Sequence, residues 1–153
     1  MKYFFKVINK LSTIFRQKPS LFCLKKMGME VGTGLSLQNG TMIDVDHCNL
    51  IKIGNNVTMA PESVILAHDA SMKNIIGGRA TKVAPVEIGD RVFIGAKAII
   101  LPGVKILDNV IIGAGSVVTK DIPSGVVVAG NPAKALMSIE DYTKKSETTI
   151  GLN

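Results

Sequence analysis

The sequence predicts an all-β solenoid, and the main observation is a six-residue period in its second half. From residue 88 to residue 118 an aliphatic residue returns at every sixth position: Ile88, Ile94, Ile100, Ile106, Ile112 and Val118. A small or branched residue follows each of these by four positions, and turn-forming pairs such as Pro102-Gly103 lie between them. A fixed short period is typical of a solenoid, because each unit can supply one short strand and one corner.

Three such units close one triangular turn, and successive turns stack about 4.8 Å apart through backbone hydrogen bonds. The predicted solenoid spans residues 29–131, although its period is rougher in the first turns. The period is lost after His68 and recovered at Ile88. Residues 69–84 are therefore predicted to form a loop inserted into the solenoid, with its bend at Gly77-Gly78.

Residues 1–28 precede the solenoid and are predicted to form a helical cap. Residues 1–17 carry an apolar stripe with the period of an amphipathic helix: Phe4, Val7, Ile8, Leu11, Ile14 and Phe15. Pro19 ends this helix, and a second short helix is predicted from Ser20 to Met27. The first helix has two interpretations. It covers the open first turn of the solenoid, or it binds anionic lipid through its lysines while Phe4, Phe5 and Phe15 insert.

Residues 132–153 follow the solenoid and are predicted to form a helix and a tail. Pro132 suits the first turn of a helix, because that position needs no N–H donor. The helix is predicted from Ala133 to about Lys145, and residues 146–153 are predicted to be a loose tail.

Composition and charge narrow the possible classes of protein. The 153 residues suit one domain, and they contain no apolar run long enough to span a bilayer. Residues 1–30 carry seven basic side chains against one acidic side chain, whereas the rest carries eleven of each sign. A nucleic-acid-binding body is not expected, because it would have a basic face of its own. We expect a cytoplasmic protein, since no signal peptide is recognisable and two cysteines make no disulfide framework.

The six-residue period and the segment IGAGSVVTKDIPSGVVVAGNPAK, residues 112–134, resemble the hexapeptide-repeat acyltransferases. The similarity is to the maltose, galactoside and surface-polysaccharide O-acetyltransferase group, and it extends from residue 28 to about residue 139. It implies a left-handed parallel β-helix and a homotrimer whose active sites lie between adjacent subunits. It also implies acetyl-CoA as the acyl donor.

His68 is the predicted catalytic base. Acyl transfer from a thioester to a hydroxyl needs a group that accepts the hydroxyl proton, and a neutral imidazole, with its ordinary pKa of about 6.5, suits this task. The resemblance implies this role, because His68 lies where the family has its catalytic histidine, at the end of a turn and before the inserted loop. Asp69 either orients the His68 ring or simply begins the loop.

The resemblance also implies a donor site. Ala96 falls where relatives use a backbone N–H to bind the thioester oxygen, which stabilises the negative charge that develops there. Ala114, Thr119 and Lys120 match positions that contact pantetheine or phosphate in the family. Lys134 matches a basic residue near the phosphates of CoA, a task that suits the point charge of lysine.

Three residues are predicted to contact the acceptor. Asn39 lies near the position where galactoside-type relatives use an asparagine to hold the acceptor, and Phe93 matches a position where some relatives have a tryptophan that walls the cleft. Asp44 is the third, because Asp44 and Asp46 alternate along an extended segment. That segment reaches either the acceptor pocket or solvent.

His47 and Cys48 suggest a different chemistry. A cysteine–histidine pair is an arrangement used for covalent acyl transfer, but neighbours in an extended segment rarely face each other. The two histidines are also the only ones in the chain, and they lack the HxxxxH spacing of the zinc carbonic anhydrases that share the β-helical fold. No metal is therefore expected.

We expect an acetyl-CoA-dependent O-acetyltransferase that acts by direct transfer on a sugar hydroxyl of a surface polysaccharide or related glycan. One alternative is N-acetylation of an amino-sugar nucleotide, because a histidine base would serve an amine similarly. A second alternative, from another class, is a catalytically silent β-helix that acts as a binding scaffold. Peripheral contact with the inner membrane face through residues 1–17 is compatible with each of these.

Overall fold

Three parallel sheets form the body of the protein. The computed structural model describes residues 1–16, 19–77 and 80–150. The chain passes through the first, second and third sheets in the same order on every turn. The first turn contains β1 (Glu30–Val31), β2 (Ser36–Leu37) and β3 (Met42–Ile43), and the second contains β4 (Ile51–Ile53), β5 (Thr58–Met59) and β6 (Val64–Ile65). An antiparallel pair follows, β7 (His68–Asp69) and β8 (Lys82–Val83). The third turn contains β9 (Val86–Ile88), β10 (Val92–Ile94) and β11 (Ile99–Ile100), and the fourth contains β12 (Lys105–Ile106), β13 (Val110–Ile112) and β14 (Val117–Val118). This order describes a coil with three flat sides.

The six-residue period marks the buried side of the coil. All six of its leading residues, from Ile88 to Val118, are at most 2% exposed, so the prediction that they point into the core is confirmed. Ile43, Met59 and Ile65 hold the equivalent positions in the earlier turns and are buried in the same way. Burial of one such side chain contributes about 1.5–3 kcal/mol. The core is therefore a continuous aliphatic column, built almost without aromatic residues.

Hydrogen bonds between corners connect successive turns. At the corner between the first and second sheets, Asn55 N donates to Asp90 Oδ1 at 2.7 Å, and Asp90 N donates to Asp108 Oδ1 at 2.8 Å. At the corner between the second and third sheets the turns approach so closely that a Cβ on Gly95 would lie 2.6 Å from Ala114 N. Only glycine permits this approach, which keeps the stacked turns in register.

The break after His68 is an insertion that folds back onto the coil. β7 and β8 pair antiparallel, with His68 opposite Val83, and the short helix α3 (Lys73–Ile76) lies between them in the chain. Gly77 has a φ of +72°, which suits the predicted bend, whereas Gly78 lies outside the described residues. The antiparallel pair fixes both ends of the insertion beside His68.

Two helices precede the coil: α1 (Lys2–Arg16) and α2 (Leu21–Lys26). Ser20 caps α2, since its Oγ accepts a hydrogen bond from Cys23 N at 3.4 Å, and Leu24 and Met27 join the core of the coil. Asn9 Oδ1 accepts from Ser20 N at 2.7 Å and connects the two helices. The helix that buries apolar side chains against the coil is thus mainly α2.

The apolar stripe predicted for α1 lies largely on the surface. Phe4, Val7 and Leu11 are 62%, 42% and 48% exposed. The side chains of Ile14 and Phe15, like the last residue of the predicted helix, lie outside what the structure describes. Over its described part, the stripe is available to a partner.

The C-terminal segment corrects the sequence prediction. The residues after Ala133 do not begin a helix but form β16 (Lys134–Ser138), which pairs antiparallel with β15 (Val126–Ala129) at the edge of the second sheet. The helix prediction is wrong here because β16 covers an edge that the last turn would otherwise expose. Such non-local pairing outweighs local helix propensity.

Helix α4 (Ile139–Ile150) begins only after β16. Ser138 starts it, since its Oγ accepts a hydrogen bond from Asp141 N at 3.0 Å. Residues 146–150 belong to this helix, so the prediction of a loose tail is wrong over that range, and residues 151–153 lie outside the described part. None of the described helices is both long and apolar enough to cross a bilayer.

Candidate active site

A carboxylate and an imidazole meet at the corner between the third and first sheets. β3 and β6 are parallel neighbours in register, so the residues that follow them stack on one another. This stacking brings Asp44 beside Ala67 and His68. Ala67 N donates to Asp44 Oδ2 at 3.1 Å, and His68 Nδ1 lies 2.5 Å from the same oxygen.

The Asp44 side chain is ionised and almost sealed from solvent, with only 3% of it exposed. Burial by itself would raise the pKa of Asp44, but the hydrogen bonds from His68 and Ala67, together with the attraction of either imidazole ring when it is protonated, outweigh burial and lower it. An ionised carboxylate only accepts hydrogen bonds, so His68 Nδ1 carries the ring hydrogen. His68 Nε2 then keeps its lone pair, and the ring has the tautomer that a general base needs.

His47 completes a cluster of three side chains. Its Nδ1 lies 3.4 Å from Asp44 Oδ1, and its backbone N donates to the same oxygen at 3.3 Å. The ring centroids of His47 and His68 are 4.7 Å apart, with the ring planes tilted by 39°. Sequence reasoning missed this cluster because Asp44 and His68 meet only through stacking of two turns. The available signal was that Asp44 directly follows a third-sheet strand and His68 lies just beyond the next one.

Two of the sequence-based possibilities have a different geometry. Asp69 Oδ1 accepts a hydrogen bond from Ser71 N at 2.8 Å, which lowers the pKa of Asp69, so this carboxylate begins the insertion while Asp44 contacts the His68 ring. Cys48 is buried, and its Sγ lies 3.9 Å from Leu24 O. Burial raises the pKa of the Cys48 thiol, which makes it a poor nucleophile.

His68 borders a cleft of about 310 Å³ beside the insertion. The lining side chains come from three turns and the insertion: Leu66, His68, Asp69, Lys82, Leu101, Pro102 and Thr119. The structure therefore brings Thr119, a predicted CoA contact, into one cleft with the predicted base, and Lys120 follows it as an exposed residue. Lys82 adds a cationic side chain that the sequence did not single out.

Other predicted site residues lie at a different corner. Ala96 and Ala114 stack between the second and third sheets, where Gly115 N donates to Ala96 O at 2.8 Å. Asn39 occupies the same corner in the first turn, and its carbonyl oxygen accepts from Glu62 N at 3.1 Å. Within one chain, these residues and His68 are on different corners of the coil.

Phe93 and Lys134 belong to the second sheet. Phe93 points outward from β10 and is exposed, and Lys134 is an exposed residue at the start of β16. Neither side chain is among those that line the cleft of His68. A single chain thus brings together the predicted base, Asp44 and Thr119, and it leaves most of the predicted donor and acceptor contacts elsewhere.

The comparisons with known proteins agree on one class of protein. Residues 85–120 match the family described as bacterial transferase hexapeptide (six repeats). Protein CapG of Staphylococcus aureus is 41% identical over an alignment of 128 positions, which covers 80% of this chain and 73% of that protein. A maltose O-acetyltransferase from Clostridium difficile 630 has a similar structure, with a TM-score of 0.64 at 30% identity, covering 90% of this chain and 85% of that one.

A galactoside acetyltransferase solved in complex with coenzyme A has a TM-score of 0.66 at 27% identity, covering 94% of this chain and 84% of that one. The coil of parallel strands and the similarity to these acetyltransferases define the protein as an acyltransferase. The chain belongs to the hexapeptide-repeat acetyltransferases.

Proposed function

We propose that this protein transfers the acetyl group of acetyl-CoA to a sugar hydroxyl, with His68 as the general base. The observation that supports this role is the Asp44–His68 pair beside an open cleft, because Asp44 fixes the ring hydrogen on Nδ1. A sugar acceptor is supported by the similarity to a maltose O-acetyltransferase and a galactoside acetyltransferase. A surface polysaccharide or a related glycan fits this acceptor class.

In the proposed reaction, the acceptor hydroxyl gives its proton to His68 Nε2 as its oxygen attacks the thioester carbon. A backbone N–H, which we assign to Ala96, stabilises the oxyanion of the tetrahedral intermediate. When the intermediate collapses, the C–S bond breaks and the imidazolium returns the proton to the departing thiolate. Asp44 stays ionised throughout and stabilises the imidazolium.

The proposed donor site extends from the cleft of His68 toward the end of the coil. Thr119 lines the cleft and Lys120 is exposed next to it, which supports the proposal that they contact pantetheine or phosphate. Ala114 and Lys134 enter the proposal through the resemblance. The similarity to an acetyltransferase that has been solved with coenzyme A supports acetyl-CoA as the co-substrate.

We propose that three chains assemble into a homotrimer of left-handed β-helices. The outer face of the third sheet carries an apolar row in register across four turns: Met42, Val64, Ile99 and Val117. The outer face of the first sheet carries a charged row instead: Glu30, Lys52, Glu87 and Lys105. An apolar face suits a contact between subunits, and a charged face suits solvent. A neighbouring subunit would also supply the corner of Ala96 to the cleft of His68.

The catalytic proposal is tested by His68→Ala. We expect the rate of CoA release with the best acceptor to fall by at least about 100-fold, the typical contribution of a general base. The assay should compare sugars, nucleotide sugars, amino-sugar nucleotides and serine, since the preferred acceptor also separates O-acetylation from N-acetylation. Isothermal titration should show that the variant still binds acetyl-CoA. Near-normal turnover by the variant would contradict the mechanism, and a wild-type protein that binds no acetyl-CoA would favour a scaffold.

We further propose that α1 contacts an anionic membrane surface on the cytoplasmic side. Tyr3, Phe4 and Leu11 are exposed on this helix, and Lys2 and Lys10 are exposed beside them. An amphipathic helix with aromatic and basic residues binds the interface between water and lipid through both its apolar and its charged side chains.

Sedimentation with vesicles tests the membrane proposal. The full chain should pellet with vesicles of phosphatidylcholine and phosphatidylglycerol and much less with phosphatidylcholine alone. The double variant Phe4→Ser, Leu11→Ser should stay in the supernatant, whereas Leu136→Ser, a matched exposed leucine on β16, should pellet like the wild type. Equal pelleting of both variants would refute the role of α1.

A further inference from the structure

Both histidines of the chain and a buried carboxylate meet at the corner that carries the proposed base. One ligand atom from each of Asp44, His47 and His68 lies within 4.8 Å of the other two, which is the spacing of side chains that can share one ion. We propose that this cluster binds a divalent ion of a first-row transition metal, principally zinc, and that the bound ion inhibits acetyl transfer. The inhibitory half of the proposal rests on the proposed function, whereas metal binding does not.

The donor set favours transition metals over the alkaline-earth ions. Two imidazoles and one carboxylate form the protein ligands of many zinc sites, with a fourth position left to water. Magnesium and calcium prefer six or more oxygen ligands, and the cluster offers only one carboxylate. We therefore expect binding of zinc, cobalt and nickel but not of magnesium or calcium.

The carboxylate is already fixed for this task. Asp44 is held by two backbone donors, Ala67 N at 3.1 Å from Oδ2 and His47 N at 3.3 Å from Oδ1. Such contacts orient a metal ligand before the ion arrives. The side chains of His47 and His68 are 30% and 36% exposed, so an ion can reach them from solvent. Both rings present Nδ1 to the carboxylate, at 3.4 Å from Oδ1 for His47 and 2.5 Å from Oδ2 for His68. The His68 ring has to move away from Oδ2 to admit an ion at the ordinary zinc–ligand distances of about 2.0–2.1 Å.

A metal ion on this cluster is incompatible with general-base catalysis by His68. Coordination through Nδ1 uses the lone pair of that nitrogen, so the single hydrogen of the neutral ring has to move through solvent to Nε2. Nε2 then has no lone pair and cannot accept a proton from the acceptor hydroxyl. The inhibition is reversible, because removal of the ion restores the tautomer that Asp44 favours.

Direct binding can be measured without any acetyl-transfer assay. Chelator-treated wild-type protein is titrated with Co²⁺, and visible ligand-field absorption should grow to one ion per chain and disappear when Zn²⁺ is added. His47→Gln and Asp44→Asn should each weaken Co²⁺ binding by at least tenfold. Asp69→Asn and Cys48→Ser are the matched controls, since they change a neighbouring carboxylate and thiol outside the cluster, and both should bind as the wild type does. Circular dichroism and thermal melting should show that all four variants are folded.

Activity provides the second measurement. Zn²⁺ should inhibit wild-type CoA release, a chelator should restore it, and the zinc concentration for half inhibition should rise at least tenfold in His47→Gln. Absence of cobalt absorption in the wild type, or equal binding by His47→Gln, would overturn the metal site. Binding without any effect on measured acetyl transfer would overturn its inhibitory role. Binding by a protein without acetyl-transfer activity would support the site and refute the proposed function instead.

Discussion

Asp44 is nearly sealed from solvent, whereas the His68 ring that it holds is about one third exposed. A carboxylate is costly to bury unless its oxygens are hydrogen bonded. Each Asp44 oxygen contacts one backbone N–H and one ring nitrogen. His47 supplies both partners of Oδ1 from the corner that follows β3, and Ala67 and His68 supply those of Oδ2 from the next turn. The residue that orients the ring is therefore rigid, while the ring stays open to substrate.

The exchange Asp44→Asn tests this positioning role. An amide has nearly the same shape but no charge, so it neither fixes the ring hydrogen on Nδ1 nor stabilises the imidazolium. We expect kcat/KM to fall by about 100-fold or more, mainly through kcat, as loss of an orienting carboxylate does elsewhere. Steady-state kinetics from pH 5 to pH 9 should measure this. Asp69→Asn serves as the control, because the Asp69 carboxylate binds Ser71 N, and a loss as large as that of Asp44→Asn would argue against our assignment.

Sequence reasoning singled out His68 but did not identify Asp44 as its hydrogen-bond partner, and the reason is physical. His68 stands at the point where a local period breaks, which a linear pattern can reveal. Asp44 reaches His68 only because β3 and β6 stack in register, and register is a property of the folded coil. The sequence predicted that Asp44 contacts the acceptor, whereas its geometry supports a role in orienting the His68 ring.

At the scale of elements, the coil depends on corners as much as on strands. Each strand of the four turns contributes only two or three residues, so few ladder bonds join neighbouring turns. The corner between the first and second sheets adds a row of side-chain bonds in which Thr33 N donates to Asn55 Oδ1, Asn55 N to Asp90 Oδ1 and Asp90 N to Asp108 Oδ1. These bonds satisfy backbone N–H groups that a corner would otherwise leave without a ladder partner.

The pH dependence of stability can test this row through Asp90. The hydrogen bonds from Asn55 N and from the Asn55 side chain lower the pKa of Asp90, so folding favours the ionised form. The stabilisation is present above the unfolded pKa of about 3.9 and is lost as the pH falls through the lower pKa of the folded state. Asp90→Ala should therefore unfold at a lower urea concentration than the wild type at pH 7, and the difference should shrink below about pH 4.

Urea titrations followed by circular dichroism at pH 7, 5 and 3.5 give this comparison. Glu147→Ala, which removes an exposed carboxylate from α4, is the control and should match the wild type at each pH. A difference between Asp90→Ala and the wild type that stays constant down to pH 3.5 would show that the row does not depend on the ionised carboxylate.

Elements that a local sequence pattern specifies could be predicted, whereas elements that form by pairing between distant residues could not. The period from Ile88 to Val118 predicts the strands of these turns directly, because every leading residue is buried and pairs with the equivalent position of the neighbouring turn. β16 (Lys134–Ser138) was missed because its strand form depends on an edge that exists only in the finished coil. The apolar stripe of α1 was recognised as a helix pattern, but a pattern cannot tell whether its partner is the same chain, another subunit or a membrane.

In the assembled protein, the two sets of predicted site residues would need a second chain to form one site. His68 and Thr119 share the corner between the third and first sheets, whereas Ala96 and Ala114 share the corner between the second and third. In a cyclic trimer each subunit presents one corner to each of two neighbours. A complete site would then combine the corner of His68 from one chain with the corner of Ala114 from the next.

Mixing two inactive variants tests this arrangement. His68→Ala lacks the base but keeps an intact donor corner, and Ala114→Trp keeps the base but fills the proposed path of pantetheine. When equal amounts are unfolded together and refolded, random assembly should give about a quarter of the sites both intact corners and recover about a quarter of wild-type activity. Each variant refolded alone, and the two mixed after folding, should stay inactive. If the site lay within one chain, no mixture would regain activity, because every chain would carry one of the two defects.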